Sequence, residues 1–256
     1  MNYFNPKNAA ERYAKGRPAF HSNTINRIKN IIGIEHKLGK ALDVACGTGL
    51  STQALQAIAN KVNGIDVSEE MLKWASPSEN IEYFIGFAEE MHFPSNEFDL
   101  ITVSSGVHWF NIDAFLVEAY RVLKENSWLI LYENYFISKM KDVPEFDQWF
   151  PEVYLTKFPS PKRNDGYSWV NENLNKKRFN LINEEQFESQ VEFTKDKLAL
   201  YFTTQSNITA VVESGQYNYE EIELWLDNEL SQFFKNGTTI RTICYGNWIK
   251  YIQRID

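Results

Sequence analysis

One short stretch, residues 41–52, most constrains how this chain can fold. It reads Ala-Leu-Asp-Val-Ala-Cys-Gly-Thr-Gly-Leu-Ser-Thr, an apolar run that enters a glycine turn before a helical pattern begins. Glycine adopts backbone angles closed to other residues and lets a ligand approach the main chain. A helix that follows such a turn presents unpaired N–H groups to acceptor atoms. The stretch therefore predicts a strand–turn–helix unit that holds a nucleotide-like ligand.

Strand and helix patterns alternate around this turn. Helical patterns occur at 24–32, 52–59, 113–123, 144–158 (interrupted at Pro151) and 219–234, and Ser68 is expected to cap a further short helix. Strand patterns occur at 40–44, 61–66, 81–86, 98–104, 128–133, 187–194 and 239–252. Buried apolar strands separated by helices are typical of a parallel sheet covered on both faces. We therefore predict an α/β fold with a doubly wound, mostly parallel, seven-stranded, Rossmann-like sheet.

The length of 256 residues suits one large α/β domain, or a core with an inserted subdomain. We predict a single domain over residues 1–256, with a core at about 22–133 and 186–256. The segment at about 134–185 is rich in Pro, Asn, Lys and aromatic residues, and the segment at about 1–20 mixes aromatic and basic residues; a further segment lies at about 203–218. We expect these segments to form a lid over the carboxyl edge of the sheet.

Charge and cysteine content limit the class of partner. The formal net charge is −8, which disfavours a broad grip on nucleic acid or on an anionic membrane. The two cysteines, Cys46 and Cys244, form no metal-binding spacing and fit a reducing compartment. No signal peptide or transmembrane run is recognised. We therefore expect a cytoplasmic protein with a small-molecule partner, no nucleic acid, no membrane and no metal; the oligomeric state is not predicted.

Two acidic residues flank the turn and narrow the choice of cofactor. Asp43 lies at the end of the first strand, and Asp66 ends the second strand, where a carboxylate can accept hydrogen bonds from ribose hydroxyls. Thr52 replaces the third glycine of the dinucleotide-binding pattern. A carboxylate beside the turn would repel a pyrophosphate but favour the sulfonium and ammonium of S-adenosylmethionine. These residues indicate S-adenosylmethionine as the cofactor.

The same residues carry a family resemblance. The chain resembles class I S-adenosylmethionine-dependent methyltransferases across about residues 38–133, through segments 43–49, 64–72, 86–94, 98–103, 121–124 and 129–132. Segments 13–20 and 106–110 are similar to those of trans-aconitate methyltransferases and related small-molecule enzymes. One departure is Ala45, where many members of the family have glycine. The resemblance implies an enzyme that transfers a methyl group.

The resemblance also implies roles for particular residues. In cofactor binding, it implies contact with the methionine part, the ribose, the adenine and the sulfonium by Asp43, Ala45, Gly47, Gly49, Asp66, Val67, Met71, Ala88, Glu89 and Ser104. For the acceptor, the candidates are His108, Tyr13 and Arg17 as base or positioning groups, and Arg12, Trp109 and Tyr135 as substrate contacts. Arg17 is equally a candidate for the cofactor's own carboxylate. A base is needed only when the acceptor loses a proton.

Several functions remain open at this point. The leading hypothesis is methyl transfer to an oxygen or nitrogen of a small molecule, with a carboxylate as one candidate acceptor. An RNA methyltransferase and a non-catalytic protein that binds the cofactor are the alternatives. A nicotinamide oxidoreductase is disfavoured by Asp43 and Thr52.

Overall fold

The computed structural model describes residues 7–163, 166–235 and 239–256. The α-helices are α1 (Lys7–Gly16), α2 (His21–Ile31), α3 (Leu50–Leu55), α4 (Glu69–Leu72), α5 (Ile112–Val122), α6 (Pro144–Trp149), α7 (Leu155–Lys157), α8 (Asn171–Leu174), α9 (Lys195–Thr203), α10 (Ser206–Glu213) and α11 (Tyr219–Leu230). The strands are β1 (Leu38–Val44), β2 (Ala59–Asp66), β3 (Ile81–Ile85), β4 (Phe98–Ser104), β5 (Leu123–Met140), β6 (Phe179–Phe193) and β7 (Arg241–Arg254). Within these ranges, no helix is both long and apolar enough to cross a membrane.

The seven strands form one sheet in the order β3-β2-β1-β4-β5-β7-β6. The pairs β1–β2, β1–β4, β2–β3 and β4–β5 are parallel. The strand order reverses between β1 and β4, and ligands of open α/β sheets bind outside the carboxyl ends of strands at such a point. The predicted doubly wound, mostly parallel sheet is confirmed, and its switch point lies beside the glycine turn.

Residues of the chain group into two compact units. The first, which we call the sheet unit, comprises Ala19–Glu133, Arg163–Gln186 and Trp248–Asp256. The second, which we call the aromatic unit, comprises Met1–Pro18, Asn134–Lys162 and Phe187–Asn247. Strands β5, β6 and β7 have residues in both units. The extent of the predicted lid remains a prediction.

The core of the sheet unit consists of side chains from the strands and from α5. Its buried members include Leu42, Val44, Ile65, Phe98, Ile101, Val103, Phe115, Leu116, Ala119, Leu129 and Leu131. In α5, the buried residues Ile112, Phe115, Leu116, Ala119 and Val122 recur at helical spacing and so place one face against the sheet. This packing fixes the strand ends that carry the candidate site.

Many of the aromatic residues, which make up 15% of the chain, pack against one another in the aromatic unit. The Phe136 ring lies 4.5 Å from Phe150 and 5.5 Å from Phe202 between ring centroids. Phe146, Tyr201 and Tyr245 also contact Phe136, at 5.7–6.3 Å. Offset and edge-to-face aromatic pairs of this kind each add about 0.5–1.5 kcal/mol beyond the burial of their area. Most of these rings therefore form a core.

Candidate active site

The glycine turn joins the carboxyl end of β1 to the first residue of α3. Three of its residues have positive φ: Ala45 at 57°, Gly47 at 54° and Gly49 at 80°. The amide N–H of Cys46 donates to the Ile65 carbonyl at 3.0 Å, and that of Gly49 donates to the Cys46 carbonyl at 2.9 Å. Ala45 thus adopts the left-handed conformation that glycine takes without strain, at a cost of about 1–2 kcal/mol. One backbone hydrogen bond within the turn and one to β2 therefore hold its conformation.

Asp66 ties the glycine turn to the start of α4. Its Oδ2 accepts from the Gly47 amide at 2.8 Å, and its Oδ1 accepts from the Ser68 amide at 2.8 Å. Burial raises the pKa of the Asp66 carboxyl, and the backbone donors from Ser68 and Gly47 act in the opposite direction. A carboxylate has about four lone-pair sites, so each oxygen of this partly buried group can accept a further hydrogen bond. This geometry fits two ribose hydroxyls.

Asp43 is fully buried beneath the turn. Its Oδ2 accepts from the hydroxyls of Ser51 at 2.6 Å and Thr52 at 2.7 Å, and its Oδ1 accepts from Thr102 at 3.0 Å. Burial raises the pKa of its carboxyl from 3.8 to about 6, despite these three hydroxyl donors. The hydroxyl of Thr52, at the position of the missing third glycine, therefore holds this carboxylate. Asp43 supports the turn and places a buried negative charge next to it.

Tyr83 is a residue of this site that the sequence reasoning missed. In the parallel pairing of β2 with β3, Gly64 lies opposite Tyr83. A Cβ at Gly64 would lie 2.7 Å from the Tyr83 ring, and a Cβ at Gly49 would lie 2.8 Å from its Cζ. The ring thus covers Gly64 and reaches the turn. Glycine inside a buried strand marks such a close approach, and Gly64 was the signal that could have revealed it.

The loop after β4 lies against the first residue of the glycine turn. A Cβ at Gly106 would come 2.8 Å from the Ala45 Cβ, so the two loops are in contact. Ser104 ends β4 and is partly buried. His108 is buried, and its ring lies 4.7 Å from the Trp109 ring, which is 37% exposed. Ser104, His108 and Trp109 thus share the carboxyl end of β4, where the sequence predicts transfer to occur.

The predicted adenine contacts differ in their surroundings. Val67 is 44% exposed, whereas Met71 is buried, with its Cε 3.1 Å from a Cβ placed at Gly47. Ala88 is also buried. Glu89 accepts from the Asn111 amide at 2.7 Å, so one of its oxygens already serves the start of α5. Val67 offers the open apolar surface, and Met71 supports the turn from below.

Four predicted acceptor residues lie in the aromatic unit. Arg12 is ion-paired with Glu223 and its guanidinium lies 4.0 Å from the Tyr219 ring centroid, so its charge is already matched within the protein. The Arg17 guanidinium lies 4.7 Å from the Tyr13 ring and 5.2 Å from the Tyr201 ring. Tyr135 is partly exposed and its ring packs on Gly246, where a Cβ would lie 2.6 Å from Tyr135 Cε2.

Asp43 makes the stability of the protein depend on pH in a testable way. Its pKa is higher in the folded chain than in the unfolded chain, so the folded state binds the proton more tightly between about pH 4 and 6. Stability from this group therefore rises as pH falls through that window and is constant above it. A difference from 3.8 to about 6 corresponds to about 3 kcal/mol.

We expect the variant Asp43→Asn to lack this gain on acidification. Hydroxyl groups can accept as well as donate, so the amide keeps partners in Ser51 and Thr52. Denaturant unfolding of both proteins at pH 4, 5, 6 and 7 measures the effect. Subtracting the two series removes the contribution of all other groups. Identical slopes would show that the buried carboxyl does not titrate in this window.

Comparison with known proteins agrees with this site. The model of the methyltransferase domain family matches residues 42–131. A demethylmenaquinone methyltransferase of Staphylococcus aureus is 30% identical, and the match covers 67% of this chain and 79% of that protein. A proposed methyltransferase of Dictyostelium discoideum is 32% identical over 123 residues, which span about half of each protein.

Solved structures agree on the fold. A proposed type II methyltransferase from Anaeromyxobacter dehalogenans superposes with a TM-score of 0.72 at 17% identity, over 93% of this chain and 97% of that one. The YcgJ protein from Bacillus subtilis gives a TM-score of 0.53 at 19% identity, over 92% and 99%. The sequence match to the Staphylococcus aureus enzyme establishes the family. The chain belongs to the class I S-adenosylmethionine-dependent methyltransferases.

Proposed function

We propose that this enzyme methylates an oxygen or nitrogen atom of a small anionic molecule. In this proposal Asp66 accepts hydrogen bonds from the ribose, and Val67 packs against the adenine with Ala88 at its edge. Ala45, Gly47 and Gly49 lie against the methionine part, and Ser104 lies beneath the sulfonium. The bound cofactor supplies a methyl group activated by the positive sulfur. The roles of Asp43 and Met71 are to hold the turn, and that of Glu89 is to hold the start of α5.

Two features of the turn fit S-adenosylmethionine: the negative charge of Asp43 and the hydrogen-bond acceptor sites of the Asp66 carboxylate. Asp43 is buried next to the turn and would repel a diphosphate, whereas a sulfonium and an ammonium would be attracted. Asp66 accepts from the amides of Gly47, Ser68 and Val67, and the remaining lone pairs of its carboxylate are the ones that would serve a ligand. Both features support a cationic adenosine derivative over a dinucleotide.

The surroundings of the Arg17 side chain are the observation that supports an anionic acceptor. Its Nη2 donates to the Thr204 carbonyl at 3.3 Å, and its Nε is buried without a hydrogen-bond partner in the described part of the chain. Its guanidinium lies against the Tyr13 and Tyr201 rings, and no ion pair with a carboxylate is seen for it within the described residues. The side chain is half-buried, and desolvating a cation that has no anionic partner is costly. We infer that Arg17 binds the anionic group of a ligand, and that Tyr13, stacked on the guanidinium, holds it in place.

Two further observations support a small-molecule acceptor. The Staphylococcus aureus relatives are named for demethylmenaquinone, which is a small molecule. The net charge of −8 disfavours the phosphate contacts that RNA binding requires. The RNA methyltransferase and the non-catalytic binding protein remain as alternatives that an experiment can separate.

Transfer of labelled methyl from S-adenosylmethionine to fractionated metabolite pools tests the proposal. We expect label in an acidic small-molecule fraction and none in total tRNA or rRNA at physiological salt. Label in RNA, with binding that weakens steeply as salt rises, would favour the RNA enzyme. Binding of the cofactor without transfer to any pool would favour the non-catalytic protein.

The variant Arg17→Met tests the role of the guanidinium, since it keeps much of the stem and removes the charge. We expect acceptor KM to rise about 100-fold if Arg17 holds the acceptor's anion, because a charge-assisted hydrogen-bond pair is worth about 3 kcal/mol. Comparing S-adenosylmethionine with its decarboxylated analogue tests the alternative, in which Arg17 binds the carboxylate of the cofactor. If Arg17 instead held the cofactor's carboxylate, wild type would prefer the intact cofactor and Arg17→Met would not. Equal KM and equal preference in both proteins would remove Arg17 from the site.

A further inference from the structure

A histidine and a tyrosine from distant parts of the chain meet at the carboxyl end of the sheet. The Nδ1 of His21, the first residue of α2, lies 3.0 Å from the Oη of Tyr132 on β5. The two rings are nearly perpendicular, at 74°, with centroids 5.9 Å apart. Neither residue was among those that the sequence indicated. Both belong to the sheet unit, as does the glycine turn.

The strand registers place this pair beside the predicted transfer site. Val44 of β1 lies opposite Val103 of β4, and Ser104 lies opposite Tyr132 of β5. The residue after Val44 is Ala45 of the glycine turn, so the turn, Ser104 and Tyr132 occupy one level of three adjacent strands. Neighbouring strands are about 5 Å apart. The Tyr132 backbone is thus about 10 Å from that of the turn. The Ser105 amide also donates to the Tyr132 carbonyl at 2.9 Å.

The environments of the two rings differ. Tyr132 is 1% exposed and rigidly packed, whereas His21 is only partly buried. Burial lowers the pKa of His21 to about 4, so the imidazole is neutral at physiological pH. Within the described ranges, Tyr132 on β5 is a titratable group in hydrogen-bond contact with His21. A neutral imidazole has a proton on one ring nitrogen and a lone pair on the other. The hydrogen bond that one nitrogen makes decides which of the two carries the proton.

We propose, resting on the proposed function, that His21 is the general base for a protic acceptor and that Tyr132 is its positioning residue. The His21 Nδ1–H donates to Tyr132 Oη, and this leaves the lone pair on Nε2. The lone pair of the acceptor atom forms the new bond to the methyl carbon, and the carbon–sulfur bond breaks with its electron pair kept by sulfur. The acceptor's proton passes to His21 Nε2, which becomes an imidazolium. The accepting atom therefore carries a proton, as in a hydroxyl group, and is not a carboxylate oxygen.

A weakly basic imidazole is sufficient for this step. A hydroxyl oxygen that has gained a methyl group while keeping its proton is a strong acid, so it protonates even a poor base. Desolvation of the half-buried ring lowers the pKa of His21 to about 4, so its lone pair is available at neutral pH. A carboxylate acceptor has no proton to lose and needs no base. A general base at His21 therefore implies an acceptor that loses a proton.

The tautomer of His21 provides a test that needs no acceptor. Nitrogen-15 spectra of the imidazole side chains separate protonated ring nitrogens from those with a lone pair, and loss of one signal set in His21→Gln assigns it. We expect Nδ1–H and a bare Nε2 in the folded protein with S-adenosylhomocysteine bound. Tyr132→Phe should shift this equilibrium towards the other tautomer. A wild-type His21 with its proton on Nε2 would overturn the proposal, because no lone pair would face the acceptor.

Kinetics with the acceptor found in the transfer screen complete the test. We expect His21→Gln to lower kcat about 10²–10⁴-fold, with the affinity for S-adenosylmethionine unchanged. Tyr132→Phe should lower kcat less, at unchanged affinity for the cofactor. His92→Gln, on an exposed histidine, is the matched control and should leave kcat unchanged. His108→Gln compares the histidine predicted from the sequence with the one found here.

The possible failures are distinguishable. Unaltered turnover in His21→Gln with a hydroxyl acceptor, or identification of a carboxylate as the accepting atom, would overturn the role of His21 while leaving the enzyme a small-molecule methyltransferase. Failure to label any small molecule would instead contradict the proposed function, and the tautomer measurement would still decide the geometry of the pair. Circular dichroism and cofactor affinity show whether each variant is folded.

Discussion

Replacement of Asp66 by alanine is expected to weaken S-adenosylmethionine binding about 100-fold, or about 3 kcal/mol. The carboxylate anchors the Gly47 and Ser68 amides and, in the proposed complex, also accepts the ribose hydroxyls. Its loss thus removes ligand contacts and loosens the turn together. Isothermal titration calorimetry with S-adenosylmethionine or S-adenosylhomocysteine measures the change.

Asp99→Ala is the matched control for this prediction. Asp99 lies near the start of β4 and accepts from the Lys40 amide at 2.8 Å and from the Lys124 ammonium at 2.6 Å. Like Asp66 it accepts two hydrogen bonds that join separate parts of the chain, but it lies near the amino end of β4, whereas Asp66 lies at the carboxyl end of β2. We expect a comparable loss of stability and an unchanged cofactor affinity. Equal affinities for wild type and Asp66→Ala would mean that the ribose does not bind Asp66.

Replacement of Gly49 by alanine should be among the most destabilising single changes in the sheet unit, at about 2–4 kcal/mol. The left-handed conformation, at φ 80°, is strained for alanine. The new Cβ would also clash with the Tyr83 hydroxyl and lie 2.8 Å from Cζ. Denaturant unfolding measures the loss of stability, and calorimetry should show cofactor binding reduced with it.

The control variant Gly33→Ala separates the cost of backbone strain from the cost of the clash with Tyr83. Gly33 has φ +71° and no atom within 4 Å of an added Cβ, so it carries the conformational strain without the clash. We expect this control to cost about 1 kcal/mol. Adding Tyr83→Phe to Gly49→Ala should recover part of the difference because it removes the nearest atom. Equal losses in Gly33→Ala and Gly49→Ala would show that Tyr83 does not press on the turn.

Strong apolar patterns allowed the sequence to predict much of the sheet unit. Strand β4 was predicted over its observed range, Phe98–Ser104, because its residues are apolar on both faces. The short helix α4 was predicted from Ser68, whose hydroxyl accepts from the Met71 amide at 3.2 Å. The predicted helix 52–59 instead begins at Leu50 and ends at Leu55. Boundaries were less predictable than the existence of an element.

The elements that the sequence missed have weak patterns. Helix α1 buries only Ala9 and Ala10, small residues that give little apolar signal, so the sequence did not predict a helix over Lys7–Gly16. Strands β5 and β6 run into the segment predicted as an insertion, at residues 134–140 and 179–185. In β6 most positions are exposed or half-buried, as at a sheet edge. Polar edge strands resemble loops in sequence.

The site was predictable where one motif contains its residues. The glycine turn and Asp66 follow from local spacing, since an acidic residue at the end of the second strand has a recognisable place. The pair of His21 and Tyr132 is separated by 111 residues and depends on how β5 aligns with β4. Likewise, the Arg12 pair with Glu223 joins residues 211 apart. Such contacts arise from tertiary packing, which a single sequence does not display.

Binding of S-adenosylhomocysteine to the folded wild-type protein tests the central claim most directly. Calorimetry should show one molecule bound per chain, with the backbone amides of Gly47, Gly49 and Ser68 shifting in NMR spectra as the site fills. NAD at the same concentration should give neither effect. If the folded protein shows neither heat of binding nor amide shifts with S-adenosylhomocysteine, the glycine turn is not the binding site of the cofactor.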